Sequence, residues 1–255
     1  MGDVDTKKVL FVALSVCLVC AVIVSASSVL LRPMQKVNKE LDLKKNILAS
    51  AGLLREGVDI EEQFQAIKVR LVHLSSGTFS DAFDPESYDQ RSAARDDNLS
   101  SQLPPSNDPA KIKRLVKYSK IYMLEQDGAI EKLILPIHGY GLWSTLYGFI
   151  ALDGDLKTVS GIGFYEHGET PGLGGEVDNP QWKSQWVGKK AYIDGEAALT
   201  VIKGKVNANS DRADYEIDGL SGATLTTRGI NDLVQFWLGE AGFAPFIRFL
   251  EGAKV

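Results

Sequence analysis

The sequence contains little of the chemistry that cysteine and histidine provide. Its 255 residues include two cysteines and three histidines. Cys17 and Cys20 both lie inside a long apolar run, where thiolates are disfavoured, so this C-x-x-C pair is interpreted as part of an apolar helix. The histidines, His73, His138 and His167, are scattered without metal-ligand spacing or a nucleophile elbow. We therefore predict no metal site, no catalytic triad and no cysteine ligands for an iron–sulfur cluster.

Basic clusters and a dinucleotide-binding motif are also missing. The net charge is −5, and no basic cluster interleaves with aromatic residues, which disfavours nucleic-acid binding. The glycines of Gly161-x-Gly163 are followed by Glu166 where a dinucleotide fingerprint needs its third glycine. The chain therefore shows no NADH site of its own.

One long hydrophobic run, from Val9 to Leu31, stands out against this background. It carries no charge and exceeds the roughly 20 residues that span a bilayer. We predict a transmembrane helix over residues 9–31 after a cytoplasmic tail of residues 1–8. A cleaved signal peptide is the alternative, because Ser25-Ala26-Ser27-Ser28 would permit cleavage.

The basic residues that flank this run are unequally divided between its two ends. Lys7 and Lys8 precede the run, whereas a larger set of basic residues follows it: Arg32, Lys36, Lys39, Lys44 and Lys45. Taken literally, the positive-inside rule keeps the large domain in the cytoplasm. A long domain can nevertheless be translocated despite flanking charge.

Residues 32–115 are predicted to hold membrane-proximal helices and a polar excursion. A helical pattern covers Gln35–Leu54, and Asp59 resembles an N-cap with Glu62 at the capping-box position. The helix that follows Asp59 is expected to carry Ile60, Phe64, Ile67 and Leu71. Ser75–Pro109 is rich in Asp, Ser and Pro, which indicates a long surface loop or insertion without chemistry.

Residues 116–255 are predicted to form an α+β domain with an antiparallel sheet and flanking helices. Two hairpins are indicated by turn sequences between apolar strands, namely 120–125 with 129–135 and 147–152 with 157–165. A short helix is expected to begin at Pro180 and to bear Trp182 and Trp186 on one face as packing residues.

The segment Asp218–Thr227, D-G-L-S-G-A-T-L-T-T, places the hydroxyl of Thr224 behind three small residues. A helix should follow, because apolar residues recur on one face at Ile230, Leu233, Val234, Trp237 and Leu238. Thr226 or Thr227 is its expected N-cap. Small residues admit a close ligand, and N–H groups near a helix start favour a phosphate. From the residues alone, an ordinary strand-to-helix turn is the favoured interpretation.

Two glycine-rich connectors and one lysine complete the candidate site. His138–Trp143 reads H-G-Y-G-L-W, and His167–Glu176 reads H-G-E-T-P-G-L-G-G-E. Each gives backbone that a planar ligand could approach, and each is equally consistent with a purely structural role. Lys203 falls in the strand-like stretch Thr200–Val206, where a solvated surface lysine is the alternative.

These segments resemble the FMN-binding domain family, whose motifs are similar to S-G-A-T, G-Y-G-L-W and E-T-P-G-L-G here. The resemblance implies that a flavin transferase esterifies the Thr224 hydroxyl with the phosphate of FMN. Near such a flavin, the cation of Lys203 would stabilise the reduced, anionic form through Coulomb attraction. The implied flavin contacts are Thr224, Ser221, Gly222, Ala223, Trp143, Glu169, Thr170, Gly172, Leu173, Gly174 and Lys203.

The layout of an anchor, a polar excursion and a C-terminal flavin domain resembles subunits of sodium-translocating NADH:quinone oxidoreductases. The shorter G subunit of Rnf-type electron transport complexes is the second resemblance. The first implies a subunit, inactive alone, of an inner-membrane enzyme that oxidises NADH, reduces ubiquinone and exports Na⁺, with its domain in the periplasm. Partner subunits would supply the missing redox centres. A periplasmic binding module without flavin is the alternative from another class.

Overall fold

The computed structural model describes residues 6–252 of the chain. Residues 1–5 of the predicted tail 1–8 lie outside this range. The helices are α1 (Thr6–Ser50), α2 (Ile60–Phe64), α3 (Gln90–Ala93), α4 (Pro180–Ser184), α5 (Thr224–Leu238) and α6 (Ala244–Gly252). The antiparallel sheet with further helices confirms the predicted α+β class.

The helix α1 joins two segments that the sequence pattern separated. It runs through Pro33 without ending, so the predicted transmembrane and membrane-proximal helices form one element. A single proline removes one backbone hydrogen bond, and the strong helical pattern on both sides accommodates that loss. By length and composition, α1 is able to cross a membrane. The chain divides into two compact units between Leu43 and Lys44.

The second unit is built on a six-stranded sheet in the order β2-β1-β5-β6-β7-β8, in which every neighbouring pair is antiparallel. Its strands are β1 (Ile67–His73), β2 (Thr78–Ser80), β5 (Tyr118–Gln126), β6 (Ala129–Tyr140), β7 (Thr145–Asp153) and β8 (Val159–Glu166). The short strands are β3 (Ser100–Gln102), β4 (Arg114–Val116), β9 (Tyr192–Ile193), β10 (Glu196–Ala197), β11 (Thr200–Val201) and β12 (Glu216–Ile217).

Both predicted hairpins are confirmed as β5–β6 and β7–β8. In the first, Asp127 and Gly128 adopt φ angles of 51° and 80°. Two successive residues with positive φ match the twist of antiparallel strands, which is why a short Asp-Gly connection serves here.

The helix predicted to follow Asp59 is wrong in its second half. Asp59 is the N-cap of α2, accepting hydrogen bonds from the N–H groups of Glu61 and Glu62 at 2.8 and 3.2 Å. The helix ends at Phe64, however, and the residues from Ile67 form β1. Pairing along the whole of β1 with β5 outweighs the local helical spacing of its apolar residues.

The polar excursion is more ordered than predicted. Within it, Tyr88 and Ala93 are buried, and Asp89 caps α3 through the N–H groups of Arg91 and Ser92. The Tyr88 hydroxyl donates to the Tyr118 carbonyl of β5 at 2.9 Å. The Asp89 cap satisfies backbone N–H groups of the segment, and the buried Tyr88 and Ala93 pack it against the rest of the domain.

The main core lies between one face of the sheet and the C-terminal helices. Five residues of α5 are fully or almost fully buried in it: Ile230, Leu233, Val234, Trp237 and Leu238. Trp182 and Trp186 are also buried, which confirms their prediction as packing residues. The end of α1 contributes the buried Ile47 and Leu48 to the same unit. Burial of each such side chain is worth roughly 1.5–3 kcal/mol.

Candidate functional site

Thr224 is the first residue of α5 and is exposed. The N-cap is Ala223 (φ −126°, ψ 53°), which has no side-chain hydrogen bond to offer the first turn. The prediction of Thr226 or Thr227 as the N-cap is therefore wrong. The preceding Gly222 adopts φ +72°, a conformation that glycine tolerates best. The turn presents a hydroxyl at a helix start whose N–H groups carry no side-chain cap.

Thr226 and Thr227 point inward instead. Their exposed fractions are 1% and 5%. The Thr226 hydroxyl donates to Glu169 Oε2 at 2.6 Å, and Thr227 Oγ1 accepts from the N–H of Leu220 at 3.0 Å. Because they precede Ile230 by four and three residues, they extend the buried face of α5 by one turn.

The Glu169 carboxylate joins this turn to the connector after β6. Its side chain is buried, and its Oε1 accepts from the N–H groups of Leu142 and Trp143, both at 3.0 Å, and of Ser144 at 3.4 Å. Burial raises the pKa of Glu169, but the hydrogen bonds from Thr226 and from these N–H groups outweigh it and hold the pKa below its usual value. The carboxylate is therefore ionised at neutral pH.

Two glycines make room for this carboxylate. A Cβ on Gly141 would lie 2.5 Å from Glu169 Oε1, and a Cβ on Gly174 would lie 2.6 Å from Thr226 Oγ1. Neither position can carry a side chain without moving these groups. The sequence predicted that a ligand approaches the backbone at these glycines. At Gly174, the side chains of Thr226 and Glu169 approach it instead.

Exposed apolar side chains lie on the turn and on the two glycine-rich connectors. Trp143 is 65% exposed, Leu173 45% and Leu225 55%. Leu173 lies against the turn, since a Cβ on Gly222 would be 3.1 Å from Leu173 Cδ2. Thr170 and Gly172 are exposed on the same glycine-rich segment. Apolar surface of this kind next to a reactive group fits a planar ligand.

Lys203 lies beyond the strand in which it was predicted. The strand β11 ends at Val201 and pairs with β12 in parallel, and Lys203 is exposed in the turn that follows. That turn touches the start of the Thr224 segment, because the N–H of Gly219 donates to the Gly204 carbonyl at 2.8 Å. The lysine is therefore near the segment in the fold, and its side chain is exposed.

The helix α5 approaches β6 closely at two glycines. A Cβ on Gly229 would lie 2.4 Å from the Tyr140 carbonyl oxygen, and one on Gly139 would lie 2.5 Å from Leu233 Cβ. Backbone-to-backbone contact of this kind fixes the position of the helix against the strand end. This contact therefore positions both α5, which begins at Thr224, and the end of β6, from which the Trp143 connector starts.

His138 lies behind this contact. Its ring stacks on Tyr147 at a centroid distance of 5.4 Å and packs against Trp237 at 4.9 Å. Burial and the nearby Arg91 guanidinium lower the pKa of His138 to about 4. The ring is therefore neutral at physiological pH and serves in packing.

The residues brought together fit a flavin phosphate and ring. An exposed hydroxyl stands at a helix start that favours an anion, and Trp143 and Leu173 provide the apolar surface. Within residues 6–252, no group of three or more His, Cys, Asp or Glu side chains is arranged to hold a metal ion.

Comparison with known proteins agrees with this geometry. The FMN-binding domain family matches residues 141–239. The C subunit of the Na⁺-translocating NADH-quinone reductase of Pseudomonas aeruginosa is 52% identical over 248 residues, covering 95% of both chains. The chain belongs to this family of C subunits. The Yersinia pestis member is 47% identical and covers 96% of this chain and 94% of its own.

The same family includes a solved relative with the same fold. The crystal structure of Shewanella oneidensis NqrC superimposes with a TM-score of 0.76 at 33% identity, covering 84% of this chain and 99% of that one. The FMN-binding match begins at Gly141, inside the first glycine-rich connector, and includes the whole of the second connector and the Thr224 turn. The individual flavin contacts inferred from the sequence remain predictions.

Sequence reasoning missed Thr226 as a participant in the site. It also assigned Glu169 to the ligand surface, whereas the structure buries this side chain. The apolar periodicity of α5, continued one turn backward, would have identified both threonines as buried. Nothing in the local sequence indicates that Glu169 bonds to residues 27 positions earlier and 57 positions later.

Proposed function

We propose that this chain is a membrane-anchored electron-transfer subunit that carries FMN on Thr224 through a phosphoester. The observation that carries the proposal is the exposed Thr224 hydroxyl at the uncapped start of α5. Leu173 lies against this turn, and Glu169 joins the connector of the exposed Trp143 to it. A phosphate ester requires a side-chain hydroxyl, and this helix start favours the phosphate charge.

The neighbouring hydroxyls are poorer candidates. Those of Thr226 and Thr227 are buried and hydrogen-bonded within the protein. Ser221 is exposed, but it precedes the positive-φ Gly222 and is three residues from the helix start. Attachment at Thr224 disturbs none of the contacts that hold the turn.

When bound, FMN would accept and release electrons. The chain's own residues would hold it: Trp143 and Leu173 would shield the ring from water, and Ser221, Gly222 and Ala223 would admit the phosphate. Thr170, Gly172 and Gly174 would shape the adjacent loop, and Lys203 would favour the negatively charged reduced form by Coulomb attraction.

Membership of this family supports a place in a complex that couples NADH oxidation to ubiquinone reduction and Na⁺ transport. Other subunits would provide the NADH site and the ion path, and a flavin transferase would install the FMN. The apolar part of α1 would anchor the protein in the bacterial inner membrane. We place the C-terminal domain in the periplasm.

Mass spectrometry of the chain produced together with its flavin transferase tests this proposal. The peptide containing Thr224 should gain the mass of FMN less one water. Thr224→Ala should abolish the fluorescent flavin band on a denaturing gel, whereas Thr224→Ser retains a hydroxyl and should keep part of it. Ser221→Ala removes the neighbouring exposed hydroxyl but not the attachment atom, so a covalent flavin band should remain.

The opposite pattern would refute the assignment. Flavin that persists in Thr224→Ala and disappears in Ser221→Ala or Thr227→Ala places the ester elsewhere. A wild-type peptide that is never modified supports a binding module without flavin. In the assembled complex, Thr224→Ala should also stop electron flow to quinone while NADH oxidation by artificial acceptors continues.

A further inference from the structure

Glu169 lies where three segments of the candidate site meet: the connector 141–144, the glycine-rich segment 167–176 and the first turn of α5. We propose that its carboxylate is a positioning group that holds the Trp143 connector and the Thr224 turn in the arrangement needed for flavin attachment, and is not itself a flavin ligand. The claim about flavin attachment rests on the proposed function, whereas the claim that Glu169 holds the connector and the turn together does not.

Glu169 holds the backbone of the connector. The successive N–H groups of Leu142, Trp143 and Ser144 point at one oxygen, Glu169 Oε1, at 3.0, 3.0 and 3.4 Å. Successive N–H groups of this kind form an anion-binding nest. The Trp143 side chain is 65% exposed, so burial of this ring does not fix the connector. The carboxylate holds these three N–H groups, in addition to the contact of Gly229 with Tyr140 and Gly141 and the bond from the Gly141 N–H to the Ser144 carbonyl at 2.9 Å.

Glu169 also holds the first turn of α5. The other oxygen, Glu169 Oε2, accepts from the Thr226 hydroxyl at 2.6 Å, two residues beyond Thr224. This short bond to an ionised acceptor belongs to the stronger class of hydrogen bonds. One carboxylate thus ties the rotation of the first helical turn to the position of the Trp143 connector.

The surroundings of Glu169 leave it no access to a ligand on the surface. The residue is 5% exposed, and both carboxylate oxygens are engaged within the protein. Its backbone is held as well, because its N–H donates to His167 Nδ1 at 3.2 Å, while His167 Nε2 lies 2.8 Å from Asp178 Oδ2. A ring at the surface would meet the groups that Glu169 positions.

Amide hydrogen exchange of the full chain without flavin tests the positioning directly. In Glu169→Ala, the amides of Leu142 and Trp143 should exchange at least about tenfold faster than in wild type, since they lose a charged acceptor. Glu169→Gln should show a smaller increase, because the amide oxygen still accepts and the amide nitrogen can donate to Thr226. Unchanged protection of both amides in both variants would overturn the proposal.

Flavin incorporation tests the consequence. With the transferase present, Glu169→Ala should slow covalent flavin incorporation about tenfold or more, because small misplacements of a reacting group have large effects on rate. Glu169→Gln should recover most of that loss. Thr226→Val should leave the Leu142 and Trp143 amides protected and still slow incorporation, since it releases the helix alone.

Asp108→Ala is the matched control. Asp108 is also a buried carboxylate, 8% exposed, that accepts from the N–H groups of Ile112 and Lys113 at 2.9 and 2.7 Å. It should cost comparable stability without slowing incorporation. If Asp108→Ala slows flavin incorporation as much as Glu169→Ala does, loss of general stability explains both effects and the positioning role is overturned. If wild type takes up no flavin, the proposed function fails, and the exchange measurement still decides the role of Glu169.

Discussion

Substituting alanine for Gly229 sets helix propensity against close packing at the contact that holds α5. On an isolated helix, Gly→Ala is stabilising by up to about 1 kcal/mol. In this fold, the added methyl group would lie 2.4 Å from the Tyr140 carbonyl oxygen and 2.9 Å from Gly141 Cα. Both are backbone atoms, which no change of side-chain rotamer can move away.

The size of the effect follows from this geometry. Ordinary contact distances begin near 3.4 Å, so the helix must retreat by about 1 Å at this point. The same helix buries Ile230, Leu233 and Trp237 against the sheet. Overpacking of well-packed cores typically costs about 1–3 kcal/mol. We therefore expect Gly229→Ala to lower the free energy of unfolding by about 2 kcal/mol, or the melting temperature by about 4–8 °C.

Denaturant unfolding of the detergent-solubilised full chain, followed by tryptophan fluorescence, measures this change. Gly252→Ala is the matched control, because the same substitution at the end of α6 meets no atom within 4 Å. It should leave the free energy of unfolding within about 0.5 kcal/mol of wild type. A Gly229→Ala variant as stable as wild type would show that α5 does not depend on the contact with Tyr140.

Two further predictions concern pH and orientation. Because the pKa of His138 is about 4 in the fold and near 6.5 when unfolded, the unfolded chain binds the proton first as pH falls. The buried neutral His138 therefore contributes at most about 3 kcal/mol to the free energy of unfolding. This contribution should be complete above pH 6.5 and should be lost as the pH falls towards 4. Measured from pH 4 to 7, His138→Gln should flatten the slope of unfolding free energy, and an unaltered slope would contradict this assignment. Protease added to intact spheroplasts should digest the C-terminal domain, whereas protection would support the literal charge count around residues 9–31.

The sequence alone determined the features that depend on local chemistry. A charge-free run as long as Val9–Leu31 has no other stable form than a helix when it lies in a membrane. An Asp-Gly pair between apolar strands fixes a hairpin, and the regular spacing of Ile230, Leu233 and Trp237 specifies one buried face of α5. The small residues before Thr224 and a helix after it are visible in the sequence, but the first residue of that helix is not, since Thr226 or Thr227 was predicted as its N-cap and the structure has Ala223.

Only the tertiary structure decided how these pieces meet. The helical spacing after Asp59 continues past Phe64, but pairing with β5 along its whole length, and with β2 at its end, makes a strand of Ile67–His73. The bonds from Glu169 to Trp143 and to Thr226 cross 26 and 57 residues. A sequence pattern records the neighbours of a residue along the chain, whereas the partner of a buried carboxylate is set by which segments the sheet and α5 bring together.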